Sequence, residues 1–388
     1  MSTKVLHILS SLDSRTGGPV TSILGLAPAQ ARIGISVSVL ATNHVLRDGA
    51  PNARRLLDAG VKVKLLGPAY GKRTNHPAIQ SECRAAIADA DIVHIHGIWE
   101  VIQKEAARVA RTTGKPYIFR PCGMLDPWSR GRRKWLKELV LMAGLRKEIA
   151  ASSALHLVTR TEEMGTGPLY PKTPKIVEPN GVDLERLLEL KPNNVLRRRI
   201  GIDDNIPILL FLGRIHHKKG LDFLIRAAGH LARSQTEFQL IIAGPGTPQI
   251  LRELQDLIQA EGLERRVHFT GMMDAEDKLQ ALSAADIFVL PSRHENFGVS
   301  VAEAMAAGVP VIVSDQVALC HEVIASSAGS VVPLNAPHLA EAIRIMLGSS
   351  EERARAGRAG RAFAAEHFSW DSIAARWDTR YRDLVHGM

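Results

Sequence analysis

The sequence predicts an α/β protein of two doubly wound domains. Three observations predict it. A chain of 388 residues has a two-domain length. Strand-length apolar runs alternate with helix-length amphipathic ones along most of it. That alternation stops once, near residue 180, and then begins again.

In the first half the strand-like runs are Lys4–Leu9, Ser36–Ala41, Val61–Leu66, Ile92–His96, Tyr117–Arg120, Ala154–Val158 and Lys175–Glu178. Helical patterns at Val20–Arg32, Pro51–Ala59 and Gln103–Thr112 lie between them. Strand, helix, strand in this order implies a mostly parallel sheet covered by helices. The turn-dense Pro179-Asn180-Gly181-Val182-Asp183 and the polar stretch after it read as a linker. The first domain is therefore expected at 1–185 and the second at 186–369. The second half restarts with Ile208–Leu212 and continues through strands Gln239–Ala243, Val267–Thr270, Ile287–Leu290 and Pro310–Ser314. Its helical segments are Leu221–Arg233, Pro248–Ala260, Ala275–Ala284 and Val299–Ala307, and Glu351–His386 closes the chain as a helical region. Two Rossmann-like domains of this kind bind ligands at the carboxyl ends of their strands, so a cleft between them is the expected site.

Composition narrows the class. The net charge of +9 sits in the first half: residues 1–185 hold 26 Lys and Arg against 16 Asp and Glu, and the rest is near neutral. Such a surface favours anionic partners. Aromatic content is only 5%, with no stacking platform among the basic residues, which argues against a nucleic-acid binder. Cys83, Cys122 and Cys320 are far apart, odd in number and in no metal-ligand spacing. They point to a reducing compartment, with no disulfide framework and no structural metal. No apolar run approaches the ~20 residues of a membrane span. The expectation is a cytoplasmic protein, soluble or peripherally attached.

Phosphate-handling loops follow the strands. Gly17-Gly18 open a helix after the first strand, where a backbone without Cβ atoms admits close approach and free N–H groups suit an anion. Gly213-Arg214 and Lys219-Gly220 flank a second such loop, placing a fork-shaped donor and a point charge near a diphosphate. Gly244 lies in another glycine-rich turn, but no G-x-G-x-x-G fingerprint occurs, which counts against a dinucleotide oxidoreductase. In Pro291–Pro310, Glu295 lies in the loop and Glu303 about a turn into the helix, so two carboxylates can accept hydrogen bonds from hydroxyls along one ligand. The N–H groups at Gly298–Ser300 are placed to face phosphate. His94 and His96 alternate on one strand and share a face, with His96 nearer the carboxyl end and Gly97 behind it.

With these residues the chain resembles the retaining GT-B glycosyltransferases of family 4. The family's E-x7-E pattern matches Glu295 and Glu303, its Gly-Arg…Lys-Gly loop matches Gly213-Arg214 and Lys219-Gly220, and its Gly-Gly-Pro matches Gly17-Gly18-Pro19. Asn180-Gly181-Val182-Asp183 looks like its domain junction and His94-Ile95-His96-Gly97 like its histidine-bearing strand end; Cys122 stands where several relatives carry a basic residue. The resemblance implies a nucleotide sugar, uridine or guanosine based, in the second domain, an acceptor in the first, and retention at the anomeric centre without a structural metal. It implies that the helix at 370–388 crosses back onto the first domain.

The roles expected on this basis are specific. Arg214 and Lys219 stabilise the leaving diphosphate, with Gly17 and Gly18. Glu303 holds the ribose, and Glu295 contacts the transferred sugar. His96 bonds a sugar hydroxyl or supports charge near the anomeric carbon, while His94 is structural. Gly244, Phe297, Gly298 and Val299 complete the donor site. No cofactor is expected beyond the nucleotide-sugar cosubstrate.

Trp128–Ala143 reads as a basic amphipathic helix. Trp135, Leu139 and Met142 recur at helical spacing, and Arg132, Arg133 and Lys134 crowd its start. Positive charge there opposes the helix dipole and suggests an anionic membrane surface contacted by these residues and Trp135. The expected function is hexose transfer to a glycan acceptor, lipid-linked, for surface polysaccharide at the inner membrane face. The alternatives are a small phosphorylated or soluble acceptor and, in another class, a non-catalytic peripheral membrane or nucleic-acid binder.

Overall fold

The computed structural model describes residues 2–46, 48–71, 73–126, 134–191 and 193–387. The chain forms two compact units. Unit 1 comprises Met1–Gly181 and Trp370–Met388, and unit 2 comprises Val182–Ser369. The junction therefore falls four residues before the expected 185, inside the turn-dense segment.

Unit 1 is built on seven parallel strands: β1 (Lys4–Leu9), β2 (Ser36–His44), β3 (Lys62–Ala69), β4 (Ile92–His96), β5 (Tyr117–Arg120), β6 (Ala154–Leu157) and β7 (Lys175–Val177). Their order is β3-β2-β1-β4-β5-β6-β7. Both faces are covered, so the strands read as near-continuous apolar runs. On one face Leu6, Ile8, Val93, Ile95, Phe119 and Leu155 pack with the helices Ile79–Ala88 and Val101–Thr112. On the other, Val5, Leu9, Ile92, Ile118 and Ala154 pack with the helices Gly18–Arg32 and Trp370–His386. Register places His7 beside His94 and His96 beside Arg120, so this second face turns polar toward its carboxyl end.

The C-terminal helix is an integral part of unit 1. Trp377 and Tyr381 are fully buried. The Trp370 indole lies where a Cβ on Gly25 would be 2.1 Å away and one on Gly181 2.4 Å away, so both positions are glycine for the ring's sake. Buried Glu178 pairs with Arg376 at 2.7 Å and with Arg380. The helical region expected at 351–386 is two helices, Ser350–His367 and Trp370–His386, because the chain leaves unit 2 at Phe368–Ser369.

Unit 2 has six parallel strands: β8 (Ile208–Leu212), β9 (Gln239–Ala243), β10 (Val267–Gly271), β11 (Ile287–Leu290), β12 (Val311–Ser314) and β13 (Gly329–Val332). Their order is β10-β9-β8-β11-β12-β13. Each unit thus begins with a strand at the centre of its sheet, winds outward, then returns to the other side of that first strand. The switch point lies between β1 and β4 in unit 1 and between β8 and β11 in unit 2, and the crevice at such a point is where doubly wound sheets bind ligands.

Candidate functional site

In unit 2 the two predicted loops meet at the switch point. Gly220 adopts φ +64°, and a Cβ there would lie 1.9 Å from the Pro291 carbonyl oxygen. Arg293 ties the loops further: its N–H donates to the Lys218 carbonyl at 2.7 Å, its guanidinium to the His217 carbonyl at 2.8 Å and to Asp222. Gly244 needs its missing Cβ for packing, since one would sit 1.9 Å from the Gly213 carbonyl oxygen. These contacts position two carboxylates. The Lys219 ammonium donates to Glu295, and the Lys278 ammonium donates to Glu303 at 2.6 Å. Arg214 is exposed, and no other described residue pairs with its guanidinium. Gly298, at φ +92°, caps the helix Val299–Ala307, whose first intrahelical bond runs from the Val301 N–H to the Gly298 carbonyl at 2.8 Å. The N–H groups of Val299 and Ser300 precede it and lack an intrahelical acceptor.

Two features of this arrangement differ from the sequence-based picture. Lys219 does not stand with Arg214 as a free second cation: it is bonded to Glu295. Phe297 is 3% exposed, with its ring edge-on to Phe368 at 5.7 Å, so only its backbone can meet a ligand. Lys278 was not anticipated. Its only signal is a lysine in an otherwise acidic helix start, Ala275-Glu276-Asp277-Lys278, a weak one because the partner lies 25 residues away.

In unit 1 a cavity of about 310 Å³ opens at the switch point, lined among others by Ser10, Thr16, Pro19, His96, Glu100 and Gln103. Gly17 has φ +87° and leads into the helix Gly18–Arg32; neither Gly17 nor Gly18 has anything within 4 Å of where a Cβ would be. The backbone here is open to approach, but the expected free N–H at Gly17 is not found: it donates to the Ser14 carbonyl at 3.1 Å, closing the turn before the helix. Asp13 holds the loop by accepting from the Arg15 and Asp48 N–H groups, and the Arg15 guanidinium keeps the Asp13 carboxyl down at about 2.

His96 reaches the cavity but is 1% exposed, with its Nε2 2.9 Å from Nδ1 of His7 and its Nδ1 3.4 Å from Arg120. It belongs to a buried cluster with His7, His94 and His156. Burial pushes all four rings down from their ordinary range, His7 to about 4. Nitrogens of His7, His94 and His96 lie within 4.8 Å of one another, a donor set that could suit a metal ion by residue type. Each of their ring nitrogens is instead engaged in a hydrogen bond. Arg120 is buried, and its guanidinium donates to Ser22 at 3.0 Å and to Asn180.

The predicted basic helix is observed as Lys134–Val140, followed by an irregular turn at Leu141–Leu145, where Gly144 has φ +104°, and a short helix Arg146–Ala150. Trp128, Arg132 and Arg133, with the rest of 127–133, lie outside the described residues, as does the side chain of Lys134. Trp135 is 67% exposed, Leu139 52% and Met142 65%, so one apolar stripe faces outward. Among the described residues, no helix is long and apolar enough to cross a membrane.

Two doubly wound units, each with its polar loops at a switch point, define a protein of the GT-B class. Solved structures of that class share the fold: sucrose-phosphate synthase from Thermosynechococcus elongatus (TM-score 0.77, 21% identity, all of both chains) and Anabaena HepE in complex with UDP and glucose (0.76, 18%, 98% of this chain and all of that one). Residues 17–177 match the model of the glycosyl transferase 4-like domain, and residues 193–363 match glycosyl transferases group 1. The α-maltose-1-phosphate synthase of Mycolicibacterium smegmatis is 31% identical over 315 residues, 76% of this chain and 79% of that protein. The chain belongs to this glycosyltransferase family. It is also 33% identical to the α-D-kanosaminyltransferase of Streptomyces kanamyceticus over 49% of this chain, and 33% identical to the D-inositol 3-phosphate glycosyltransferase of Xylanimonas cellulosilytica over 60%. The matched segments span about half of those two proteins, 48% and 57%.

Proposed function

We propose that this chain transfers a hexose from a UDP- or GDP-sugar, with retention at the anomeric centre, to a glycan acceptor. One observation carries the reading: at the switch point of unit 2, Glu295 in the loop after β11 and Glu303 in the helix Val299–Ala307 are each held by a lysine, and the loop after β8 carries the exposed Arg214. Glu303 accepts from the ribose hydroxyls. Glu295 accepts from the transferred sugar. Arg214 and Lys219 face the diphosphate, whose growing negative charge as leaving group is the main electrostatic task of the reaction. Gly244, Phe297, Gly298 and Val299 contribute backbone. No side chain among these is placed as a covalent nucleophile, so the leaving phosphate takes the acceptor's proton as the new bond forms on the same face.

The acceptor binds unit 1, where the cavity wall includes His96. The exposed Trp135, Leu139 and Met142 and the basic balance of the first half support a lipid-linked acceptor at an anionic membrane surface, reached from the cytoplasm. A second reading, a small phosphorylated acceptor, is favoured by two of the relatives, which by name act on inositol 3-phosphate and make maltose 1-phosphate.

Thermal stabilisation by UDP, GDP, ADP and NAD, without added metal, tests the donor site. A ligand at 100 times its Kd adds about 2.7 kcal/mol. A shift with one nucleoside diphosphate, abolished by Arg214→Ala or Glu303→Ala, is expected and names the base. A shift with NAD alone, or with none of the four, overturns the reading.

A further inference from the structure

A line of buried polar groups crosses unit 1 from the cavity wall to the C-terminal helix. Arg120 Nη1 lies 3.4 Å from His96 Nδ1. His96 Nε2 lies 2.9 Å from His7 Nδ1, and His7 Nε2 lies 2.8 Å from Gln30 Oε1. Gln30 Nε2 donates to the Tyr381 hydroxyl at 3.2 Å, and that hydroxyl lies 2.7 Å from His94 Nδ1. His94 Nε2 lies 3.0 Å from His156 Nδ1, and His156 Nε2 is 2.9 Å from the Glu178 carbonyl oxygen.

The two ends fix the direction of every link. A guanidinium can only donate, and a carbonyl oxygen can only accept. From the arginine end, His96 Nδ1 must accept. If the ring is neutral, its Nε2 donates to His7 Nδ1, and His7 Nε2 donates to Gln30, which must offer its oxygen. From the carbonyl end, His156 Nε2 must donate, so its Nδ1 accepts from His94 Nε2. His94 Nδ1 then accepts from Tyr381, which leaves the tyrosine oxygen to accept from Gln30, which must offer its nitrogen. The two deductions meet at one amide and agree on its orientation, the one it has. A charged His96 or His7 would set two donors against each other at Arg120, a charged His94 or His156 would leave the Tyr381 hydroxyl hydrogen without its acceptor, and burial likewise favours the neutral form of all four. The chain also directs its acceptor ends toward Arg120, a buried cation with no carboxylate in its hydrogen bonds.

We propose that Gln30 and Tyr381 are positioning residues for His96: the chain they close holds its ring in the Nε2–H form and leaves Nδ1 as the nitrogen that accepts a hydrogen bond from a substrate hydroxyl. The functional half of this rests on the transfer reading above; the tautomers do not. The Arg120 link is the longest of the seven, so it is the one a hydroxyl entering the cavity can displace.

Long-range ¹H–¹⁵N spectra of the full chain with labelled histidine test it, each ring being assigned by its own His→Gln substitution. At pH 7, His7, His94, His96 and His156 are all expected neutral and Nε2–H. Any one of them charged or Nδ1–H overturns the chain. Gln30→Glu keeps the shape but offers two acceptors. It is expected to draw a proton onto His7, turn His96 to Nδ1–H, and lower kcat for release of nucleoside diphosphate from UDP-glucose or GDP-mannose at least tenfold. Stabilisation by the nucleoside diphosphate itself should not change. His96 still Nε2–H in Gln30→Glu, with wild-type kcat, overturns the positioning role. The spectra need no substrate, so they stand or fall separately from the nucleotide shifts that test the transfer reading.

Discussion

The two switch points share a strand order and differ in chemistry. In unit 2 the groups above the sheet are ionic and partly exposed: Glu295 is 21% and Glu303 15% accessible, and each is held by a lysine. In unit 1 they are neutral, buried and joined in series: four histidines, a glutamine and a tyrosine satisfy one another, with a guanidinium at one end and a carbonyl at the other. Each solution suits what its unit is proposed to bind. A diphosphate needs fixed charge. A sugar hydroxyl needs a hydrogen-bond partner of known polarity, and a closed chain supplies one because no member can reverse alone. The same fold topology therefore sets where ligands approach, and the side chains at the crevice set which kind.

Acid separates the units most strongly. The four rings of unit 1 are held below the usual 6.5 when folded, His7 at about 4. Between those values the unfolded chain binds protons that the folded chain does not. Stability is then complete above pH 6.5 and falls as pH drops, by up to about 1.4 kcal/mol per pH unit for each ring that stays neutral. In unit 2 the same direction of shift, by burial, is resolved for His268. Thermal unfolding at pH 7.0 and 5.5, with nucleoside diphosphate marking the unit 2 transition, should show the unit 1 transition moving down much further. Equal movement of both would break the contrast between a neutral and an ionic crevice.

A smaller effect is expected at Lys278. It holds Glu303 at 2.6 Å, and its side chain is 36% accessible. If the lysine orients the carboxylate for ribose, Lys278→Met should weaken nucleoside diphosphate binding several-fold, about 1 kcal/mol, in keeping with a half-exposed pair. Calorimetric titration reads it. Tighter binding would show that Lys278 competes with the ribose, and would end its role as a support.

How far these features are legible in the sequence follows from how local they are. Strand positions are visible because buried parallel strands are apolar runs of four or five residues, and Ile208–Leu212, Gln239–Ala243 and Ile287–Leu290 fall where the pattern puts them. Short or mixed elements are not: the helix Ile79–Ala88 and the strand Gly329–Val332 lack a clear period. The loops with Gly17, Arg214 and Glu295 stand out because glycine and charge follow strand ends. What surrounds them depends on distant chain. Lys278 reaches Glu303 only through packing, Phe297 is turned inward by Phe368, and nothing near Gly244 in sequence reveals the Gly213 carbonyl against it. His94 and His96 show their alternation plainly. Their partners His7, Gln30, His156 and Tyr381 come from four other elements, one of them 285 residues beyond His96. For the same reason His96 reads in sequence as an open pocket residue, whereas in the fold both of its ring nitrogens have partners.

The smallest effect on folding is expected where the effect on location is largest. Trp135, Leu139 and Met142 project from one side of Lys134–Val140 and the turn after it, and are more than half exposed. Little packing is lost when such residues change, so Leu139→Asp should alter stability by no more than about 0.5 kcal/mol. On a membrane the same stripe would bury its apolar atoms among acyl chains, and the basic excess of the first half would draw it to anionic headgroups. Co-sedimentation with phosphatidylglycerol-containing vesicles should therefore fall with added salt, with Leu139→Asp, and with joint replacement of Arg132, Arg133 and Lys134, while pure phosphatidylcholine vesicles bind weakly throughout. Equal binding to both vesicles whatever the salt would remove anionic headgroups from the account, and a chain that binds neither vesicle would have its acceptor in solution. The charge difference between the two units would then serve the small phosphorylated acceptor instead.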